Sequence, residues 1–222
     1  SWAQPRVPAG AEVRMIPAAV HPDLLEASRQ ASPLVNRRPD RLLWFASWEA
    51  RKGSWYVPGA FRAIRAHHPQ TRLAIGGVGR AEADLLSWFH ERDRDHIDVL
   101  PRLTIPEQVD RFSASSIFLF PSLSEGFGLA LVEAMVFGMA AVTTNTAFGG
   151  DWLTDGQDAR VVFPSSEHVA RAVISLIGSD EIRVRIAQAG QNLARSFTLD
   201  RMTDAYEEAF LILRHSLRSR AS

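Results

Sequence analysis

Six short apolar runs, at about residues 42–46, 72–76, 97–100, 117–120, 140–144 and 160–163, alternate with stretches of helical character along most of this chain. Parallel strands need a crossover of a dozen or more residues, usually a helix, and such crossovers are right-handed. The alternation therefore predicts an α/β fold, a doubly wound parallel sheet of about six strands with helices on both faces. Leu42-Leu-Trp-Phe-Ala46 and Ile117-Phe-Leu-Phe120 are continuous apolar runs rather than alternating ones, as strands buried on both faces require.

Ligands of open α/β sheets gather at the carboxyl ends of the strands. Two such ends stand out. After Phe120 the chain reads Pro121-Ser-Leu-Ser-Glu125-Gly-Phe-Gly128 and then a helix rich in apolar residues to about Gly138. Gly126 and Gly128 lack side chains, so a ligand can reach backbone N–H groups at the positive end of that helix, which suits a phosphate or sugar oxygen beside Glu125. Glu133 lies among Leu131, Val132, Ala134 and Met135, where an unpaired carboxylate costs roughly several kcal/mol, so it needs a partner. After Ala46 comes a turn with Arg51-Lys52-Gly53, and a lysine beside glycine at a strand-to-helix turn is a candidate phosphate ligand.

The rest of the chain is read more briefly. Residues 1–40 are rich in Pro and Ala, with Val13 to Pro17 the only strand-like run and Pro22 to Ser28 a short helix. A helix is expected from Ser54 to His67, another from Arg80 to Asp93, and a third from Pro106 to Phe112 capped by Thr104. From Ser165 to Arg218 the periodicity is helical throughout. Lys plus Arg equal Asp plus Glu at 25 each, which gives no electrostatic footprint for nucleic acid. No apolar run approaches a membrane span, and the absence of Cys excludes disulfides and thiolate metal sites and is compatible with a cytoplasmic location. The first Met is Met15, so a fragment or processed product is expected.

Pro121-Ser-x-x-Glu125-Gly-Phe-Gly128 with Glu133-Ala134-Met135 resembles the E-x₇-E signature of retaining glycosyltransferases of the GT-B fold, family 4 or group 1. The resemblance covers roughly residues 13–215 and implies a Rossmann-like donor-binding C-terminal domain at 41–222, with 1–40 leading in from a missing N-terminal domain. It implies that Glu125 and Lys52 are catalytic, holding the donor sugar and its diphosphate. Gly126, Phe127, Gly128, Gly77, Gly79, Arg51 and Ser47 would complete the donor site, and Glu133 would bond the ribose. The base would rest against the loop from Pro101 to Ile105. No metal or other cofactor is expected, because the substrate is itself a nucleotide diphosphate sugar and no D-x-D-like cluster lies near the site. Partners would be the donor, an unidentified acceptor and the chain's own N-terminal domain, through which any contact with a membrane surface would come.

One departure matters. The family pattern G-R-x-x-x-x-K-G, counted back from Lys52-Gly53, puts Ser47 where an arginine belongs, with Arg51 as a substitute. Ser47 favours a second reading, a relative that holds nucleotide without transferring sugar. A third is an NAD(P)-dependent dehydrogenase domain, prompted by Gly76-Gly-Val-Gly79, although the ordered G-x-G-x-x-G is not there.

Overall fold

A computed structural model describes residues 13–31 and 33–221, so the first twelve positions of the lead-in segment lie outside the described residues. A short helix α1 (Pro22–Ser28) precedes β1 (Arg41–Phe45), α2 (Val57–His67), β2 (Arg72–Gly76), α3 (Glu82–Leu86), α4 (Glu91–Arg94) and β3 (Ile97–Val99). Then come α5 (Ile105–Ala114), β4 (Ile117–Phe120), α6 (Leu129–Val136), β5 (Ala140–Thr144), α7 (Phe148–Asp151) and β6 (Arg160–Val162). Three helices finish the chain: α8 (Ser166–Gly178), α9 (Asp180–Ala194) and α10 (Leu199–Ala221). The strands form one six-stranded sheet in the order β3-β2-β1-β4-β5-β6, parallel at every pairing.

Each face of the sheet has its own apolar cluster. On one, Leu42, Trp44, Leu73, Ile75, Ile117 and Leu119 meet Phe61 and Ile64 of α2 and Val173 and Leu176 of α8. On the other, Leu43, Phe118 and Phe120 meet Phe112 of α5 and Leu131, Val132 and Met135 of α6. Successive residues of β1 and β4 thus point to opposite clusters, which is why their sequences are apolar without interruption. Each such side chain contributes about 1.5–3 kcal/mol when fully buried. Arg37 ties the second cluster to its surroundings by donating to the carbonyls of Ser115 at 2.9 Å and Phe137 at 2.6 Å.

All six predicted strands form, within a residue at each end. Other expectations needed correction. Val13 to Pro17 is not a strand: Val13 and Met15 are 62% and 65% exposed, and neither edge strand, β3 or β6, pairs with it. The segment is tied instead by Val20 N–H donating to the Phe197 carbonyl at 2.9 Å. The helix expected from Arg80 to Asp93 is two short ones, because the chain turns at His90, whose ring Nδ1 accepts from the Arg92 N–H and so starts α4 afresh. The helical tail breaks at Ser179, extended at the N-cap of α9, and again between Ala194 and Leu199. On α10, Tyr206, Phe210 and Leu213 share one helical face and are 47%, 66% and 53% exposed.

Candidate functional site

Because β1 and β4 are neighbours and the crossovers reverse direction between them, the loops that follow them lie side by side at the carboxyl end of the sheet. Main-chain contacts lock the two loops together. The Arg51 carbonyl accepts from the N–H groups of Leu123 at 2.7 Å and Ser124 at 3.3 Å. Gly53, in the left-handed conformation with φ +76°, lies so close to the other loop that a Cβ there would stand 2.0 Å from the Pro121 carbonyl oxygen.

The lock brings together two side chains 73 residues apart. Lys52 Nζ lies 2.7 Å from both carboxylate oxygens of Glu125, and Ser122 Oγ donates to one of them at 2.7 Å. The side chains of Lys52 and Glu125 are only 15% and 6% exposed, so water screens the pair weakly. Lys52 also stands 5.7 Å from the centre of the Phe120 ring. Gly126 faces open space, and Gly128, at φ +98°, is the N-cap of α6, whose first N–H groups have no helical partner. The Phe127 side chain is turned away into a cluster with Phe148 and Phe197, at 5.4 and 5.9 Å between ring centres.

Glu133 projects from α6 toward α1 and α5. Burial pushes its carboxyl up to about 7, while the charge of His21 and a hydrogen bond with Gln108 pull the other way. Gln108 lines a cleft of about 540 Å³ together with Phe45, Gly77, Gly79 and the Leu100 to Leu103 loop. Gly77 and Gly79, at φ +76° and +65°, turn the chain sharply at its rim. The nucleotide-facing segments expected from the sequence thus share one cavity, and Glu133 reaches it through Gln108 rather than lining it.

The side chains of Ser47 and Arg51 are engaged by Glu49 and not by the Lys52–Glu125 pair. The Ser47 hydroxyl and the Arg51 guanidinium both bond the Glu49 carboxylate, Arg51 Nε at 2.7 Å, and hold its pKa below the usual range. What Arg51 gives the site here is its main-chain carbonyl. Sequence reasoning missed Ser122, Gln108 and the packing role of Gly53. The Ser-x-x-Glu spacing could have flagged Ser122, but Gln108 carries no local signal, since its contact depends on how α5 packs on α6.

A doubly wound sheet in this strand order, with its candidate site at the reversal between β1 and β4, has the architecture of a GT-B C-terminal domain. Residues 28–193 match the family model described as glycosyl transferases group 1, and the chain belongs to that family. A phosphatidyl-myo-inositol mannosyltransferase of Mycolicibacterium smegmatis is 27% identical over 150 residues, covering 66% of this chain and 38% of that protein. The C-terminal domain of a group 1 family glycosyl transferase from Francisella tularensis superimposes with a TM-score of 0.67 at 21% identity, over 78% of this chain and 98% of that one. Anabaena HepE in complex with UDP-glucose gives 0.65 at 18% identity, over 86% and 53%. The chain spans 38% to 44% of the length of the first three curated relatives it matches. Membership of a glycosyltransferase family leaves the dehydrogenase reading without support. Among the described residues no helix is long and apolar enough to cross a membrane.

Proposed function

We propose that this chain is the donor-binding half of a retaining glycosyltransferase, which holds a nucleoside diphosphate sugar while an acceptor takes the sugar with its anomeric configuration kept. The observation that carries the reading is the Lys52–Glu125 pair at the β1/β4 reversal, beside the N-terminus of α6. A diphosphate entering here meets a cation, and the unpaired amides of α6 face the sugar end. The leaving phosphate gains negative charge as the glycosidic bond breaks, and Lys52 is placed to stabilise it. The 540 Å³ cleft lined by Gly77, Gly79 and the Leu100 to Leu103 loop would take ribose and base, with Glu133 acting through Gln108 or turning toward the ribose itself. No divalent cation is required on this reading. The HepE complex with UDP-glucose is consistent with a nucleotide sugar as ligand. The exposed Tyr206, Phe210 and Leu213 face of α10 is where the chain's own N-terminal half would rest.

Titration of the chain with UDP, GDP and ADP tests the reading. Binding of at least one, unchanged by EDTA and lost in Lys52→Ala, is expected; no binding of any would sink it. In the complete protein, the product anomer read by NMR tests retention. A binder without transfer activity is the outcome that Ser47 favours, since no guanidinium stands in its place and Arg51 is held by Glu49.

A further inference from the structure

The cleft of about 540 Å³ is bordered by Phe45, the last residue of β1, and by the loops that follow β2 and β3. In the strand order β3-β2-β1-β4 these loops lie on the far side of β1 from Glu125, so a nucleotide whose diphosphate meets Lys52 brings its base to them, not its phosphates. Two guanidinium groups wait there. Arg80 follows the Gly77 to Gly79 turn and Arg102 lies in the Leu100 to Leu103 loop; both line the cleft and both are exposed. Neither side chain makes a hydrogen bond or ion pair among the described residues, and among those residues no aspartate or glutamate lines the cleft. Between the two loops Phe45, Val78 and Leu100 supply apolar surface, with Val78 and Leu100 only 8% and 6% exposed. A flat heterocycle buries its faces on such a surface, while its edge meets side chains that only donate hydrogen bonds.

An edge read by donors alone discriminates among bases. Guanine carries two adjacent acceptors, O6 and N7, which match the parallel N–H groups of one guanidinium. Adenine has its N6 amino group where guanine has O6, so that donor faces donor. Uracil offers O4 with a C–H beside it, a single acceptor for a two-pronged donor. We propose that this cleft selects a guanine nucleotide, with Arg102 pairing to O6 and N7 and Arg80 adding positive charge along the same edge; this rests on the donor reading above and names the base of its ligand. Arg102 is the reader of the two because β3 is the strand furthest from Lys52 on this side of the sheet, so its loop meets the edge of the base remote from the phosphates.

Calorimetric titration of the chain with GDP, ADP, UDP and 7-deaza-GDP tests the proposal. GDP should bind about tenfold or more tighter than ADP or UDP, the discrimination expected of one bidentate contact. In 7-deaza-GDP a C–H replaces N7, and affinity should fall about tenfold with O6 and the phosphates unchanged. Arg102→Leu should bring GDP down to the level of ADP and leave ADP where it was; the side chain is exposed, and the unfolding midpoint should stay at the parent's. ADP or UDP binding as tightly as GDP, or 7-deaza-GDP binding as tightly as GDP, would overturn the proposal. So would equal losses of GDP and ADP in Arg102→Leu, which would place the guanidinium on the phosphates. Binding of no nucleotide at all overturns instead the donor reading on which the base assignment stands.

Discussion

A Cβ on Gly53 would stand 2.0 Å from the carbonyl oxygen of Pro121, so the loops after β1 and β4 can close on one another only while residue 53 has no side chain. The sequence motif Lys-Gly therefore does two jobs: the lysine supplies the charge, and the glycine permits the approach that puts that charge on Glu125. Gly53→Ala has to separate the loops and also hold alanine at φ +76°, a conformation that alone costs roughly 1–2 kcal/mol. We expect a loss of at least about 2 kcal/mol in unfolding free energy by denaturant titration, together with loss of nucleotide binding. Unchanged stability with intact binding would mean that the loops open freely and that the contact is incidental.

Glu133 sets stability against binding. Its folded pKa is raised to about 7, so the folded chain keeps the proton where the unfolded chain has lost it. Glu133 therefore adds stability below the ordinary carboxylate range, and this is lost as pH rises to about 7. Glu133→Gln, which cannot ionise, should be more stable than the parent at pH 8 by about 1–3 kcal/mol and nearly equal to it at about pH 4. The same substitution should weaken nucleotide binding, because a charge-assisted bond to ribose contributes about 1.5–3 kcal/mol. Paired denaturant titrations at the two pH values, with a nucleotide Kd at pH 8, check both. A variant that binds as tightly as the parent returns Glu133 to a packing role.

These two residues show where sequence reading reaches its limit. The strands were legible because a doubly buried strand must be apolar along its whole length, and Ile117 to Phe120 could be little else. Glu133 was legible as an anomaly, a carboxylate within a run that faces a packed core. Its partners were not, since Gln108 of α5 and His21, the N-cap of α1, are brought to it by tertiary packing. The Val13 to Pro17 run failed for the converse reason: local β-character forms a strand only where a sheet edge stands ready to pair with it. Phe127 was read as a donor-site residue from its place in the motif, but its ring belongs to the cluster with Phe148 and Phe197, a contact that no local pattern encodes.

Ser47 can be tested by restoring the missing charge, and the surroundings say how. Glu49 already accepts from Ser47 and Arg51, so an arginine introduced at 47 would be captured by the same carboxylate. Ser47→Arg alone should change nucleoside diphosphate affinity little, whereas Ser47→Arg with Glu49→Ala should tighten it about tenfold, one such step being about 1.4 kcal/mol. The nucleoside monophosphate should respond less. Calorimetric titration of the parent and both variants measures this, and a double variant no tighter than the parent would show that residue 47 does not face the diphosphate.

The Lys52–Glu125 pair can be separated into its stability and its binding by a double-mutant cycle. Glu125 is 6% exposed, and with Lys52 removed its carboxylate would keep only the hydroxyl of Ser122. Breaking a pair this buried costs about 3–5 kcal/mol, much of it the penalty of the charge left behind, so Lys52→Met should destabilise the fold strongly. Glu125→Gln leaves a lysine that is more exposed and can reach water by its flexible stem, and should cost less. In the double variant Lys52→Met with Glu125→Gln no unpaired charge remains, so stability should recover to within about 1–2 kcal/mol of the parent. Nucleotide binding should not recover with it, because the cation that meets the diphosphate is gone. Denaturant titration and nucleotide Kd on the four proteins of the cycle separate the two effects. Additive stability losses would show that the 2.7 Å contact carries no coupling, and nucleotide binding by the double variant would remove Lys52 from the donor site.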